Sequence, residues 1–155
     1  MTLNELVDLL NSDLSREYSH WHFYMSNSAS VCGLHKEEIS EFLFEEAQGE
    51  MNHVNEFNKL LNGLIIRRKL DKKISTNVAE FKYNLNDPQE ILEEALKMEE
   101  EVVKNYVQRI NDANALQENG GEDEIDGKFI ELFLEDQISD SRKDADEIRM
   151  MIKKI

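Results

Sequence analysis

Apolar residues recur along most of this chain at spacings of three and four, the period of a helix with one buried face. From Leu3 the stripe reads Leu3, Val7, Leu10, Leu14, Glu17, Trp21, Tyr24, Ser28 and Val31. Thr2 is a suitable N-cap with Glu5 three residues on, as in a capping box, and Gly33 suits the exit. A second stripe, Ile39, Leu43, Glu46, Glu50, His53, Phe57, Leu60 and Leu64, places a helix over about Lys36 to Asn62. The third opens at Asp87-Pro88, where Pro favours the first helical position, and follows Leu92, Leu96, Glu99, Val103, Tyr106, Ile110 and Ala113. The turn Asn119-Gly120-Gly121 introduces a fourth helix from about Asp123, with Ile130, Phe133, Gln137, Asp140, Asp144, Ile148 and Met151 on its stripe.

Between the second and third helices, Gly63 to Asp87 shows no sustained helical period. A connection this long is unusual in a compact domain and fits a crossover along a bundle, which leaves helices two and three parallel. The pattern predicts an all-α, single-domain four-helix bundle over 1–155. No apolar run approaches the roughly 20 residues of a membrane span, and no leader is visible, so the chain reads as cytoplasmic.

Each stripe carries acids where a core is expected. Burying a carboxylate costs several kcal/mol unless it is paired or metal-bound. The interrupting groups are Glu17, then Glu50 with His53, then Glu99, then Asp140 with Gln137, each near the middle of its helix. An antiparallel bundle brings them to one level. Glu-x-x-His pointing into a bundle is the ligand pattern of di-iron and di-manganese carboxylate proteins, and carboxylates with an imidazole suit iron or manganese. Glu46 shares the stripe but reads as a salt-bridge or iron-guiding group. Asp136 and Asp144 lie one turn either side of Asp140 and would supply the ligand in a different register. His20, His22 and His35 fall off the first stripe and read as surface residues.

Charge narrows the partners. Acids outnumber bases 33 to 18, a formal net charge of −15, which argues against nucleic acid and anionic membranes and favours cations. Cys32 stands alone, so no intramolecular disulfide or multi-cysteine metal site can form. Arg67, Arg68, Lys69, Lys72 and Lys73 form one basic cluster, read as packing or subunit contacts.

Over essentially its whole length the sequence resembles the ferritin and bacterioferritin family. The residues that carry the likeness are Leu14-x-x-Glu17 followed by Tyr24, then Glu46-x-x-x-Glu50-x-x-His53, then Glu99, in that order and with the long crossover. The resemblance implies a subunit of a hollow homo-oligomeric shell, as large as 24 copies, in which a di-iron centre oxidises Fe(II) and ferric mineral is stored. It implies Glu50 as bridging ligand, Glu17 and His53 on one iron, Glu99 on the second, and Tyr24 as the tyrosine beside the metals; near the iron, Tyr24 or Trp21 would be placed to donate an electron during oxygen reduction, and both otherwise read as core aromatics. On the fourth helix the family carries Glu-x-x-His or Gln followed by Glu; this chain aligns as Gln137-Ile138-Ser139-Asp140, one methylene short at the last position. Gly49 replaces an extra Glu of some relatives, which argues against an accessory third iron site. Met51 matches a haem-ligating Met of bacterioferritins, and haem is the lesser expectation beside packing. Competing readings are a rubrerythrin-like peroxidase, a Dps-like protector, and a helical interaction module, which explains the stripes but not the converging ligands.

Overall fold

The computed structural model describes residues 1–78 and 81–153. Four helices make up its framework: α1 (Leu3–Ser30), α2 (Lys36–Arg67), α3 (Pro88–Gln117) and α4 (Gly121–Ile152). This is the expected all-α four-helix bundle. Thr2 caps α1 by accepting from the Glu5 amide at 3.2 Å, and Asp87 caps α3 by accepting from Glu90 at 3.1 Å. Each cap satisfies one of the amides that a helix start leaves without an intrahelical partner.

Contacts at the helix ends establish the topology. The Cys32 amide donates to the Asn86 carbonyl at 2.9 Å, so α3 begins at the end of the bundle where α1 stops. At the opposite end, Asn119 Nδ2 donates to the Met1 carbonyl at 2.9 Å. Helices α2 and α3 therefore run parallel, while α1 is antiparallel to both. Packing is heaviest within the pairs α1/α2 and α3/α4, with α1 against α3 joining them.

The second helix runs five residues beyond the expected end at Asn62, through Gly63 to Arg67. Leu64 on this extra stretch is fully buried. Arg67 and Arg68 clamp the end of the helix to Asp126 of α4, and Arg68 also reaches Asp123 at 2.8 Å. Much of the basic cluster is thus consumed by ion pairs between elements. The crossover then climbs the outside of α1. Asn11 accepts from Ser75, Ser15 from Asn77, Ser26 from Asn84 and Asn27 from Leu85, all at 2.9 to 3.3 Å. A strap without secondary structure must find partners for its backbone, and the Asn and Ser residues of α1 supply them. Leu70, Ile74, Phe81 and Leu85 anchor its apolar side on the core.

Two heptad stripes are rotated by about one position. In α3 Leu92, Glu99, Tyr106 and Ala113 are buried as expected, but Val102 and Arg109 are buried in place of Val103 and Ile110, which are half-buried. In α4 Leu134, Ser141 and Ala145 are buried, whereas Phe133 and Asp144 are half-buried and Asp140 is exposed. A straight helix turns every 3.6 residues, so a strict seven-residue reading drifts by about 20° per heptad.

The apolar core is split. One cluster holds Leu3 to Leu14 of α1 with Val54 to Leu64, Val102 to Leu116, and Ile130 and Leu134. The other holds Phe23 to Val31, Ile39 to Ala47, Ile91 to Ala95, and Ile148. Between them lies a layer of buried polar side chains, including Glu17, Glu50, His53, Glu99, Gln137 and Ser141.

Gly127 fixes the approach of α4 to α3. A Cβ there would stand 2.6 Å from Gln117 Cγ and 2.8 Å from the Ala113 carbonyl oxygen, one of them backbone that cannot move aside. Gly127→Ala is therefore expected to destabilise the protein by about 1–3 kcal/mol through overpacking, despite alanine's better helix propensity. Gly63, with nothing within 4 Å of its virtual Cβ, is the control. Gly63→Ala is expected to stabilise by about 0.5–1 kcal/mol. Paired urea titrations decide both, and equal shifts would refute the packing argument.

Candidate metal centre

The polar layer resolves into two groups of ligand-type atoms. Glu17 of α1 meets Glu50 and His53 of α2, with one ligand atom from each lying within 4.8 Å of the others. By the same measure Glu46 of α2 meets Glu99 of α3 and Asp144 of α4. Spacing on α2 explains the division. Glu50 and His53, one turn apart, serve the first group, and Glu46, one turn earlier, serves the second.

In the first group His53 Nδ1 is 3.3 Å from Glu50 Oε2 and 3.6 Å from Glu17 Oε2. Tyr106 donates a short hydrogen bond to Glu17 Oε1, while Glu17 Oε2 is buried without a hydrogen-bond partner. In the second group Tyr24 donates to Glu99 Oε1 at 2.8 Å. Ser141 lies beside Glu99, and Glu46 beside Asp144.

Charge in this layer is under-compensated. Burial, reinforced by the neighbouring Glu17 carboxylate, pushes Glu50 well above the usual carboxylate range. Burial and the nearby Asp144 push Glu46 up to about 9. Burial pushes Glu99 up to about 8, with Asp144 and Glu17 adding to the shift against the hydrogen bond from Tyr24 and the nearby Ser141 hydroxyl. Glu17 goes the other way: burial would raise it, but the adjoining Glu50 carboxyl and the His53 ring, 3.6 Å from Oε2, hold it below its usual value. His53, which burial alone would lower, is pushed up to about 12 by Glu17 and Glu50. Protons are thus retained on several carboxyls where cations would otherwise balance the charge. A lone-pair-bearing oxygen with no donor, beside carboxylates and one imidazole, is a donor set that fits hard divalent metals such as Fe(II) or Mn(II).

Of the residues singled out from sequence, Glu17, Glu50 and His53 come together, and Glu99 takes its place in the second group. Tyr24 stands on Glu99. Asp140 is in neither of these groups of acids and imidazole. Asp140 Oδ2 lies 3.3 Å from His53 Nε2, and its side chain is 54% exposed. Gln137 is buried, donates from Nε2 to Glu56 at 2.9 Å and leaves Oε1 without a partner. The α4 position beside Glu99 belongs to Asp144, one turn further along. Glu46, read from sequence as a guiding or salt-bridge group, is here a candidate ligand. His20, expected at the surface, has its Nδ1 enclosed with no hydrogen-bond partner. It sits three residues from Glu17 and so on the same side of α1, and burial lowers its pKa, keeping the ring neutral.

A tyrosine that the stripe reading left as core completes the surroundings. Tyr106 is seven residues after Glu99, as Tyr24 is seven after Glu17; that repeat was visible in the sequence. One turn below, Arg109 forms a forked ion pair with buried Asp13 at 2.7 and 3.1 Å. An opening of about 190 Å³ leads to the layer between α2 and α4, lined by Glu46, Gly49, Glu50, His53, Asp140 and Asp144 among others. Met51 is half-exposed on the outer side of α2. No helix among the described residues is long and apolar enough to cross a membrane.

Comparison with known proteins agrees with this architecture. A ferritin-like diiron-carboxylate protein of Bacillus anthracis superposes with a TM-score of 0.77 at 25% identity, covering 98% of this chain and 99% of that one. The dodecameric thioferritin of Bacteroides fragilis, a bacterioferritin-related protein, superposes with a TM-score of 0.57 at 20% identity, covering 100% and 92%. No curated protein matches the sequence. The family model for the ferritin-like domain matches residues 7–155, all but the first turn of α1 and including both ligand groups, and the chain belongs to that ferritin-like family.

Proposed function

We propose that this chain is a ferroxidase that binds two Fe(II) ions as substrate, oxidises them with dioxygen or peroxide and passes ferric iron on for storage. The single observation that carries this reading is the pair of adjoining ligand groups, Glu17/Glu50/His53 and Glu46/Glu99/Asp144, buried between two apolar clusters. Carboxylate-rich coordination favours Fe(III) over Fe(II), which is the redox contribution of the bound metal.

The chain's own residues set up the reaction. Glu17 offers an oxygen already free of donors, and Tyr106 and Tyr24 fix the orientation of Glu17 and Glu99 through their other oxygens. Metal entry displaces the protons held by Glu50, Glu46 and Glu99, so binding releases protons. Glu50 faces both groups electrostatically and is the residue we assign to bridge them. Asp140, exposed beside His53 at the opening, orients the imidazole rather than completing the second position. The acidic mouth between α2 and α4 is the route for cations. We extend the reading to a homo-oligomer: Ile125, Phe129 and Leu132 form an exposed apolar stripe on α4, with Ile66 of α2 also exposed.

Anaerobic Fe(II) titration of the metal-free protein, followed by oxygen and near-ultraviolet absorbance, tests the proposal. Saturation at two irons per chain with rapid oxidation is expected, and binding no greater than that of buffer would overturn it. Asp144→Asn is expected to lower the stoichiometry toward one, while Asp140→Asn keeps two. The reverse pattern would restore Asp140 as the α4 ligand. Light scattering on the same samples checks for a mass many times the 18.1 kDa of one chain.

A further inference from the structure

The ferroxidase reading leaves two electrons of dioxygen reduction without a source. Two Fe(II) ions supply two electrons, whereas reduction of dioxygen to water takes four. Helices α1 and α3 each carry a Glu followed seven residues later by a Tyr: Glu17 with Tyr24, and Glu99 with Tyr106. Because the two helices are antiparallel, each phenol reaches across to the other helix's carboxylate. Tyr24 donates to Glu99 Oε1 at 2.8 Å, and Tyr106 donates to Glu17 Oε1. Glu17 belongs to one ligand group and Glu99 to the other, so each candidate metal position has one phenol directly on a carboxylate oxygen. Both rings are sealed from solvent, Tyr24 at 0% and Tyr106 at 2% exposure.

A buried phenol gives up an electron readily only when its proton can leave at the same moment. A carboxylate oxygen already hydrogen-bonded to the hydroxyl is the acceptor such a step needs. Arg109 and Asp13 compensate each other one turn below Tyr106, so no uncompensated cation there opposes the loss of an electron. Tyr24 alone would leave the electron count at three. The second crossed pair brings it to four.

We propose that Tyr106 is a second redox-active tyrosine, paired with Tyr24, and that the two phenols supply the third and fourth electrons of dioxygen reduction. This rests on the ferroxidase reading. In the balanced step, dioxygen takes one electron from each of two Fe(II) ions and one from each phenol. Its O–O bond breaks and four O–H bonds form. Two of the protons come from the phenols, by way of Glu17 and Glu99, and two from solvent. The products are two waters, two Fe(III) ions and two neutral tyrosyl radicals. Later Fe(II) returns an electron to each radical, with a proton, and restores the phenol.

The test is rapid freeze-quench electron paramagnetic resonance after anaerobic loading with two Fe(II) per chain and mixing with oxygen, together with trapping of released hydrogen peroxide. The wild type is expected to show a transient tyrosyl signal integrating to two spins per chain, narrowed by ring-deuterated tyrosine, and to release little peroxide. Tyr24→Phe and Tyr106→Phe are each expected to halve the signal. The double variant is expected to lose it and to release one peroxide for every two irons oxidised. Tyr24→Phe leaves Tyr106 in place, so the test holds however well Tyr106→Phe folds. If iron is oxidised but Tyr24→Phe shows no tyrosyl signal, and Tyr106→Phe releases no more peroxide than the wild type, Tyr106 is only a hydrogen-bond donor and the proposal fails. If the wild type oxidises no iron, the ferroxidase reading falls and this inference falls with it.

Discussion

Replacing Glu50 by Gln is expected to lower the rate of iron oxidation by about a hundredfold or more while making the metal-free protein more stable, two effects of opposite sign from one atom. The loss follows from removing a charged oxygen that faces both ligand groups, since such groups contribute several kcal/mol to holding and stabilising charge at a metal site. The gain follows from burial. Glu50 is 3% exposed and lies against Glu17, so the metal-free protein either holds a proton on it or bears a repulsive pair. The pH dependence has a definite sign. A carboxyl raised in the fold keeps its proton after the unfolded chain has lost its own, so the folded state binds more protons and stability falls as pH rises. For Glu99 and Glu46 the window opens near the ordinary value of 4.5 and closes at about 8 and about 9. An ordinary carboxyl has lost its proton by the middle of that window, so between pH 6 and 9 the buried layer dominates. His53, raised to about 12, adds to the decline, because its stabilising charge is lost from the unfolded chain above 6.5 but held in the fold. Melting temperatures of metal-free wild type should therefore drop across pH 6 to 9, by less in Glu50→Gln and by less again with Fe(II) or Mn(II) bound under anaerobic conditions. A flat wild-type profile, or a variant that is both less stable and equally active, would refute this account of the layer.

The fold was legible because helix period, caps and turn chemistry all point the same way. Thr2, Asp87-Pro88 and Asn119-Gly120-Gly121 mark their boundaries in the sequence and do so in the structure. The end of α2 was not legible. Gly63 followed by a basic run reads as a break, and only the ion pairs of Arg67 and Arg68 with α4, some 55 or more residues away, hold that last turn. The candidate site was legible in α1, α2 and α3, where Glu17, Glu50, His53 and Glu99 are acids or bases on otherwise apolar faces. It was not in α4. That helix has the most polar stripe, so several carboxylates fit a heptad reading equally well. The drift between 3.5 and 3.6 residues per turn then decides which of them faces inward. Ser141 takes the buried place that the strict heptad gave to Asp140, and Asp144 comes round to Glu46 and Glu99. Pairings across helices, such as Tyr106 with Glu17, depend on the relative height of α1 and α3, which no single-helix pattern encodes.

The buried pair Asp13–Arg109 should produce the largest purely structural effect. Asp13 is fully buried and Arg109 nearly so, and they meet through two hydrogen bonds. Burial still pushes the Asp13 carboxyl up despite the guanidinium beside it, which means that its desolvation outweighs the attraction. Such a pair is fragile to half-removal and cheap to replace whole. Arg109→Met is expected to cost about 3–5 kcal/mol, because it strands a carboxylate in the core. Arg16, 2.8 Å from Asp13 but 35% exposed, remains as a weaker partner and holds the loss to the lower end. For a chain of this length that corresponds to a fall in melting temperature of about 6–12 °C. The double variant Asp13→Leu/Arg109→Met is expected to return to within about 1 kcal/mol of wild type, since an apolar pair of similar volume avoids both desolvation costs. Iron stoichiometry should remain unchanged in the double variant, as neither residue belongs to a ligand group. A double-mutant cycle by urea denaturation measures this directly. Additive losses in the double variant would show that the ion pair contributes net stability beneath Tyr106 and Glu17, and that the polar layer is supported by it rather than merely tolerating it.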